Sequence, residues 1–155
     1  MSRATYAIAA SLVGAVCMSL AAHAQQAAPP FAITKVDGTD NVYIFRTGNH
    51  QSMFVVTSAG VIATDPIGYG RPQGGATFVS EIRKVTSQPI KYVIYSHHHF
   101  DHIAGGQAFK DAGATFVAHK RARERLAALK DPHTCCPTRR WTAAGPSRWA
   151  TPRSS

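Results

Sequence analysis

A histidine-rich stretch, SHHHFDH at residues 96–102, has the residue types and the spacing that metal chemistry requires. Imidazole and carboxylate groups are the ligands with which proteins bind zinc and similar divalent ions. Side chains two residues apart in an extended chain point to the same side, so His97 and His99 can converge on one ion. Asp101 and His102 follow where the chain turns, and they can face a second position beside the first. The spacing predicts a dinuclear metal site. The alternative is a solvated loop, which is our interpretation of His98 alone.

The elements around this stretch must hold it in place. Residues 90–95 form an apolar, β-branched run typical of a strand buried on both faces, and residues 103–111 are predicted to form a helix. Upstream, short β-type runs at residues 33–36, 42–46, 52–57 and 61–64 are separated by turn residues. A helix is predicted at 74–87, a strand at 115–118 and an amphipathic helix at 120–130. This alternation predicts an α/β sandwich.

Asp65 closes the apolar run at residues 61–64, where a carboxylate is costly to bury without hydrogen-bond partners. One interpretation is that Asp65 caps the turn before residues 68–70. The residues alone leave the role of Asp65 open.

The pattern His97-x-His99-x-Asp101-His102, with Asp65 upstream and a glycine pair downstream, resembles the metallo-β-lactamase superfamily of metal-dependent hydrolases. The resemblance covers about residues 31–134. It implies a metallo-β-lactamase-type αβ/βα sandwich, truncated to roughly its first αβ half. It also implies that Asp65 lies behind the metal ligands and is not itself one of them.

The same resemblance implies a hydrolase with two zinc ions as cofactor, or with iron or manganese in their place. His97 and His99 would bind the first ion, and Asp101 and His102 the second. Asp101 would also act in catalysis by orienting a metal-bound hydroxide, which attacks an amide, ester or thioester bond of a small-molecule substrate. The family completes its site with ligands from a C-terminal half that has no matching segment here. A catalytically inactive metal-binding remnant is therefore the alternative.

The first residues resemble a secretory signal peptide. Arg3 precedes an apolar run at residues 7–21, and the sequence AHA at 22–24 fits a cleavage site. We therefore predict a signal peptide at residues 1–24, a linker at 25–30, and a periplasmic or secreted protein. The apolar run is short for a membrane span, so no stable membrane anchor is expected.

The net charge of +9 is weak evidence for an anionic partner. Residues 25–134 hold twelve basic and eight acidic residues, because the other five of the seventeen basic residues lie outside this range. Basic residues crowd the predicted helix at 120–130, where a solvated helix face explains them better than a nucleic-acid surface. His119, just before that helix, is interpreted as a capping residue.

The sequence changes character after Thr134. Residues 135–155 contain no acidic residue and no aliphatic residue larger than alanine, and they follow neither the helical nor the strand period. The adjacent pair Cys135 and Cys136 suits neither a disulfide nor, without a second ligand pair nearby, a zinc site. We therefore predict that residues 135–155 are an aberrant, disordered basic tail. An uncovered sheet face is then expected to favour self-association.

The coding DNA tests the prediction for residues 135–155. If a shifted reading frame produced this segment, another frame downstream should encode further histidine and aspartate residues in metal-site spacing. Other frames that encode no such residues would contradict the prediction.

Overall fold

The computed structural model describes residues 30–131 and 134–142 of the 155-residue chain. These residues form one sheet, whose strands lie side by side in chain order. The strands are β1 Phe31–Lys35, β2 Val42–Thr47, β3 His50–Thr57, β4 Gly60–Thr64, β5 Ile90–Tyr95, β6 Thr115–His119 and β7 Arg139–Trp141. The helices are α1 Gly74–Val85, α2 Phe100–Ile103, α3 Gln107–Asp111 and α4 Lys120–Leu129.

The sheet changes direction at β4. Strands β1 to β4 are antiparallel, whereas β4, β5, β6 and β7 are parallel. Antiparallel neighbours can be joined by tight turns, but parallel neighbours need a crossover, and the helices lie in those crossovers. The predicted α/β class is therefore confirmed, and the carboxyl ends of β4 and β5 lie next to each other at one edge of the sheet.

Helix α1 packs on the sheet through Phe78. The Phe78 ring is fully buried and stacks on the ring of Phe45 in β2, with a centroid distance of 4.2 Å. Phe54 of β3 and Phe109 of α3 meet the same ring edge-on, at 6.1 and 5.3 Å. Offset and edge-to-face packing are the arrangements that aromatic quadrupoles favour. The Phe78 side chain thus joins β2 and β3 to α3, which follows the histidine-rich stretch of residues 96–102, called the metal loop below.

The single helix predicted at residues 103–111 is wrong, because the structure has two short helices there. Helix α2 ends at Ile103 and α3 begins at Gln107, with Gly105 between them at a φ of +87°. That left-handed conformation suits glycine and cannot continue an α-helix. A Cβ at Gly105 would also lie 2.9 Å from the Cα of Gly68, so a side chain would separate two loops that touch through their backbones.

Part of the segment after Thr134 is ordered, which differs from the sequence-based expectation. Strand β7 pairs in parallel with β6, and the Thr138 amide donates to the carbonyl of Phe116 at 3.1 Å. The buried Tyr95 hydroxyl donates to the carbonyl of Cys135 at 3.0 Å. Strand β7 has only three residues and is held by backbone pairing at the edge of the sheet. Such a strand shows no alternation of apolar and polar side chains, so the periodicity of the sequence could not reveal it. Residues 143–155 lie outside the described part of the chain.

The predicted signal peptide at residues 1–24 also lies outside the described residues, as does all of the predicted linker except Pro30. Among the helices of residues 30–131 and 134–142, none is long and apolar enough to cross a membrane. The expected capping role of His119 is confirmed, because its Nδ1 accepts from the Arg121 amide at the start of α4.

One face of the sheet bears the side chains of Ile44, Val55, Ile62 and Ile94. These residues alternate along their strands with residues that face the core on the other side of the sheet. These four side chains are only partly buried, and Met53 on β3 is 38% exposed. Self-association through this face stays a prediction.

Replacing Phe78 with alanine should destabilise the domain by about 3–5 kcal/mol, because the loss of the buried ring leaves a cavity that the surrounding helices and strands cannot fill. Denaturant-induced unfolding measures the change. The matched control is Leu129→Ala on α4, where the side chain is 55% exposed and a loss of about 0.5 kcal/mol or less is expected. Equal losses for the two variants would contradict the central position of Phe78.

Candidate metal centre

The candidate site is built at the edge where β4 and β5 end. Asp65 follows β4 directly, and the loop of residues 96–99 follows β5 and leads into α2. Because the carboxyl ends of adjacent parallel strands open at the same edge, loops from the two strands meet there. The Asp65 amide also donates to the carbonyl of Ile94 at 3.2 Å, so the sheet pairing extends to the site itself.

Backbone contacts lock the two loops together. The amides of Ile67 and Gly68 donate to the carbonyls of His102 and Ala104, at 2.9 and 2.8 Å. Ile67 is fully buried at a φ of +46°, a strained conformation for a β-branched residue. Its buried side chain and its hydrogen bond hold it there, and the Asp65 side chain is thereby fixed beneath the metal loop.

One group of potential ligands comprises His97, His99 and Asp101, whose donor atoms lie within 4.8 Å of one another. The ring centroids of the two histidines are 4.7 Å apart and their planes are nearly perpendicular. The structure thus brings together the side chains that the sequence assigned to a common site. His98 is not part of this group, and its ring lies edge-on to the ring of His99, with a centroid distance of 5.0 Å.

His102 lies against the same group. Its ring centroid is 4.1 Å from that of His97, and its Nε2 is 3.6 Å from Oδ2 of Asp101. Two ligand atoms bound tetrahedrally to one zinc ion lie roughly 3.4 Å apart, given bond lengths of about 2.0–2.2 Å. The spacing of Asp101 and His102 therefore fits a shared cation.

The buried Asp65 carboxylate organises the two histidines from below. Its Oδ1 accepts from the Ser96 amide at 2.8 Å, and its Oδ2 accepts from the Ser96 hydroxyl and from Nδ1 of His102, the latter at 3.0 Å. An ionised carboxylate only accepts, so His102 carries its proton on Nδ1 and its Nε2 lone pair is free. The Ser96 hydroxyl, having donated to Asp65, accepts from Nδ1 of His97 at 2.8 Å, which frees Nε2 of His97 as well.

Distance alone would also place Asp65 among the ligands, because it forms a compact group with His97 and His102. Its oxygens, however, already accept three donors from Ser96 and His102, and it is only 5% exposed. A histidine that binds a metal commonly donates its other N–H to such a carboxylate. The geometry therefore favours a supporting role for Asp65, and the simple turn cap was the weaker interpretation.

Sequence reasoning missed one residue at this site, His50 at the start of β3. Its Nε2 lies 3.4 Å from Oδ2 of Asp101, and its Nδ1 lies 3.3 Å from a guanidinium nitrogen of Arg71. The contact joins residues 51 positions apart. A histidine after a glycine-containing turn carries no periodic signal, so the sequence could have marked it only by its residue type.

The electrostatics of the site favour the forms that bind metal. Desolvation by burial lowers the pKa of His97, and the neighbouring His102 lowers it further, so the neutral imidazole is favoured. Partial desolvation raises the pKa of Asp101, but the hydrogen bond from His50 and the electrostatic interaction with His102 outweigh it. The pKa of Asp101 is therefore lowered, which favours the carboxylate.

A cleft of about 1100 Å³ lies beside the metal loop without containing it. Tyr69 and Phe100 line the cleft and are 60% and 39% exposed. The four candidate ligands do not line this cleft.

Comparison with known proteins identifies the fold and the family. Among solved structures, the chain is similar to the metallo-beta-lactamase from Pontibacter korlensis, with 20% identity and a TM-score of 0.59 over 72% of this chain and 52% of that one. It is also similar to a metallo-beta-lactamase from Hirschia baltica, with 16% identity and a TM-score of 0.59 over 73% and 52% of the two chains. The chain is similar as well to the metallo-beta-lactamase FIM-1 from Pseudomonas aeruginosa in its mono-zinc form, with 16% identity and a TM-score of 0.60 over 73% of this chain and 51% of that one.

The chain thus spans about half the length of the structures it matches, and its fold is the first half of the metallo-β-lactamase sandwich. No curated protein matches it by sequence. The sequence profile of the metallo-beta-lactamase superfamily matches residues 37–144, which include the candidate metal centre and β7. The chain therefore belongs to the metallo-β-lactamase superfamily.

Proposed function

We propose that this domain binds zinc and forms the metal-binding part of a hydrolase that cleaves an amide, ester or thioester bond. The observation that carries the proposal is the pair of free Nε2 atoms on His97 and His102, oriented by one buried carboxylate. Hydrogen bonds fix the tautomers of both rings within a cluster of imidazole and carboxylate donors, and such fixed tautomers have no role in a solvated loop. They are what a preorganised metal site requires.

The donor set fits zinc better than a hard cation. Nitrogen donors dominate, with Asp101 as the oxygen donor, whereas magnesium and calcium prefer oxygen ligands throughout. His97 and His99 would hold one ion, and Asp101 and His102 a second. When bound, zinc lowers the pKa of coordinated water toward about 7 and polarises a carbonyl oxygen of the substrate.

The chain's own residues would then serve the reaction in distinct ways. Asp101 stays ionised at neutral pH, so a carboxylate oxygen can orient water and accept its proton. Asp65 and Ser96 would keep the imidazole rings in place throughout turnover. The predicted signal peptide supports a periplasmic or secreted location, and the substrate would be a small molecule.

A metal-binding but catalytically silent chain is the second candidate. With the four ligands divided between two ions, each ion would have two protein ligands from the described residues, whereas established catalytic zinc sites have three. Turnover would then need further ligands beyond these four side chains.

Zinc content and turnover separate the candidates. Protein folded with zinc and then dialysed should retain up to two equivalents by elemental analysis, and the double variant His97→Ala, His99→Ala should lose most of it. The control His98→Ala should retain zinc, because its side chain makes no hydrogen bond within residues 30–131 and 134–142. Hydrolysis of nitrocefin, a thioester or a lactone that Asp101→Asn abolishes would support the hydrolase. Bound zinc without turnover would support the silent chain, and absence of zinc would overturn both.

Replacing Asp65 with asparagine should weaken zinc binding about 10–100-fold, in line with the loss of other outer hydrogen-bond partners. The amide can present a donor where Oδ2 now accepts, which would move the His102 proton to Nε2 and remove a metal ligand. A competition titration with a chromophoric chelator measures the affinity. The matched control is Asp40→Asn, an exposed aspartate 4.0 Å from Lys35. Similar affinities for both variants would argue against the supporting role of Asp65.

A further inference from the structure

His50 stands outside the four side chains of the predicted ligand set, yet its contacts lead directly to one of them. It lies at the first position of β3, after the turn at Gly48 and Asn49, and its side chain is 29% exposed. Gly48 has a φ of +54°, and a Cβ there would lie 3.1 Å from Nη2 of Arg71. The turn glycine thus leaves room for the guanidinium that contacts His50.

Arg71 is itself held in place. Its amide donates to the Gly68 carbonyl at 2.9 Å, and its Nη1 donates to the Tyr69 carbonyl at 3.2 Å. These contacts attach the guanidinium to the loop that also carries Asp65 and Ile67. His50 is thus held, through Arg71, by the same backbone segment that supports the metal loop.

The polarity of the hydrogen bonds assigns the tautomer of His50. A guanidinium has donors only, so Nδ1 of His50 accepts from Arg71 and carries no proton. A neutral His50 therefore carries its proton on Nε2, which donates to Oδ2 of Asp101. Both ring nitrogens are then engaged, which makes His50 a hydrogen-bond donor to the site and not a metal ligand.

Asp101 needs such a partner more than the other candidate ligands do. Its side chain is 44% exposed, and it lies on a helix of only four residues. His97 and His102 are oriented from the buried side by Asp65 and Ser96, whereas none of those hydrogen bonds involves Asp101. A freely rotating carboxylate would lose conformational entropy on binding an ion.

We propose that His50, held by Arg71, is the positioning residue that orients the Asp101 carboxylate for the second metal ion. The proposal rests on the zinc-binding function argued above. Oδ2 of Asp101 accepts from His50 through one lone pair, so its second lone pair and Oδ1 remain for the ion or for a proton in turnover. The site is then supported from two directions, by Asp65 beneath the histidines and by the Arg71–His50 pair beside Asp101.

The first experiment uses the metal-free full chain and does not depend on zinc. Long-range ¹H–¹⁵N correlation spectra at a pH where His50 is neutral should show the Nε2–H tautomer of its ring. Arg71→Met should shift the population toward the Nδ1–H form, while the exposed control Arg83→Met should not. An Nδ1–H tautomer in the unmodified chain would overturn the proposal, whatever the metal content.

The second experiment titrates the chain with zinc and with cobalt(II), whose visible spectrum reports the ligand environment of each ion. His50→Phe should weaken the second ion about 10–100-fold and alter its cobalt spectrum, with the first ion unchanged. His50→Gln keeps an N–H donor and should restore most of the affinity, and Arg71→Met should weaken the second ion without altering a ligand. A direct ligand role for His50 predicts the opposite, with no rescue by glutamine and little effect of Arg71→Met, and would overturn the proposal.

The failures of the two proposals are distinguishable. An unmodified chain that binds no metal would overturn the proposed function, and the positioning role would fall with it. Two bound ions with equal affinity in His50→Phe and in the unmodified chain would overturn the role of His50 alone and leave the zinc-binding function standing.

Discussion

The candidate metal centre depends on one buried carboxylate. Asp65 accepts three hydrogen bonds from the loop that follows β5, and a buried charge is tolerated only with such partners. Because a carboxylate can only accept, it determines where His102 carries its proton and, through Ser96, where His97 does. A single electrostatic constraint thus prepares two imidazole rings for an ion before any ion is bound.

That carboxylate can reach the histidines only because two loops touch through their backbones. Gly68 and Gly105 approach so closely that a Cβ at either position would lie within 3 Å of the other backbone. The buried, strained Ile67 donates to the carbonyl of His102 in the same contact. Backbone strain is commonly retained where a site requires a particular geometry, and here it lies directly between Asp65 and the metal loop.

The two sides of the centre differ in character. The side that orients His97 and His102 is buried and rests on the pairing of parallel strands β4 and β5. The side that faces Asp101 is more exposed, and its hydrogen bonds come from the first residue of β3 and from the loop before α1. A site built in this way would hold one ligand of each ion, His97 or His102, on a rigid base. Asp101 would depend on surface contacts, which respond more readily to mutation.

The sequence by itself determined the candidate metal ligands and most of the local elements of this protein. His97, His99, Asp101 and His102 are close because they are close in the chain, and an apolar strand before them is legible from β-branched residues alone. Tertiary structure decided the rest. It brings His50 to Asp101 across two intervening strand connections, it breaks the predicted helix at Gly105 where another loop presses on it, and it adds β7 by backbone pairing. Such contacts depend on sheet register and on the approach of distant loops, which leave no periodic trace in the residues that make them.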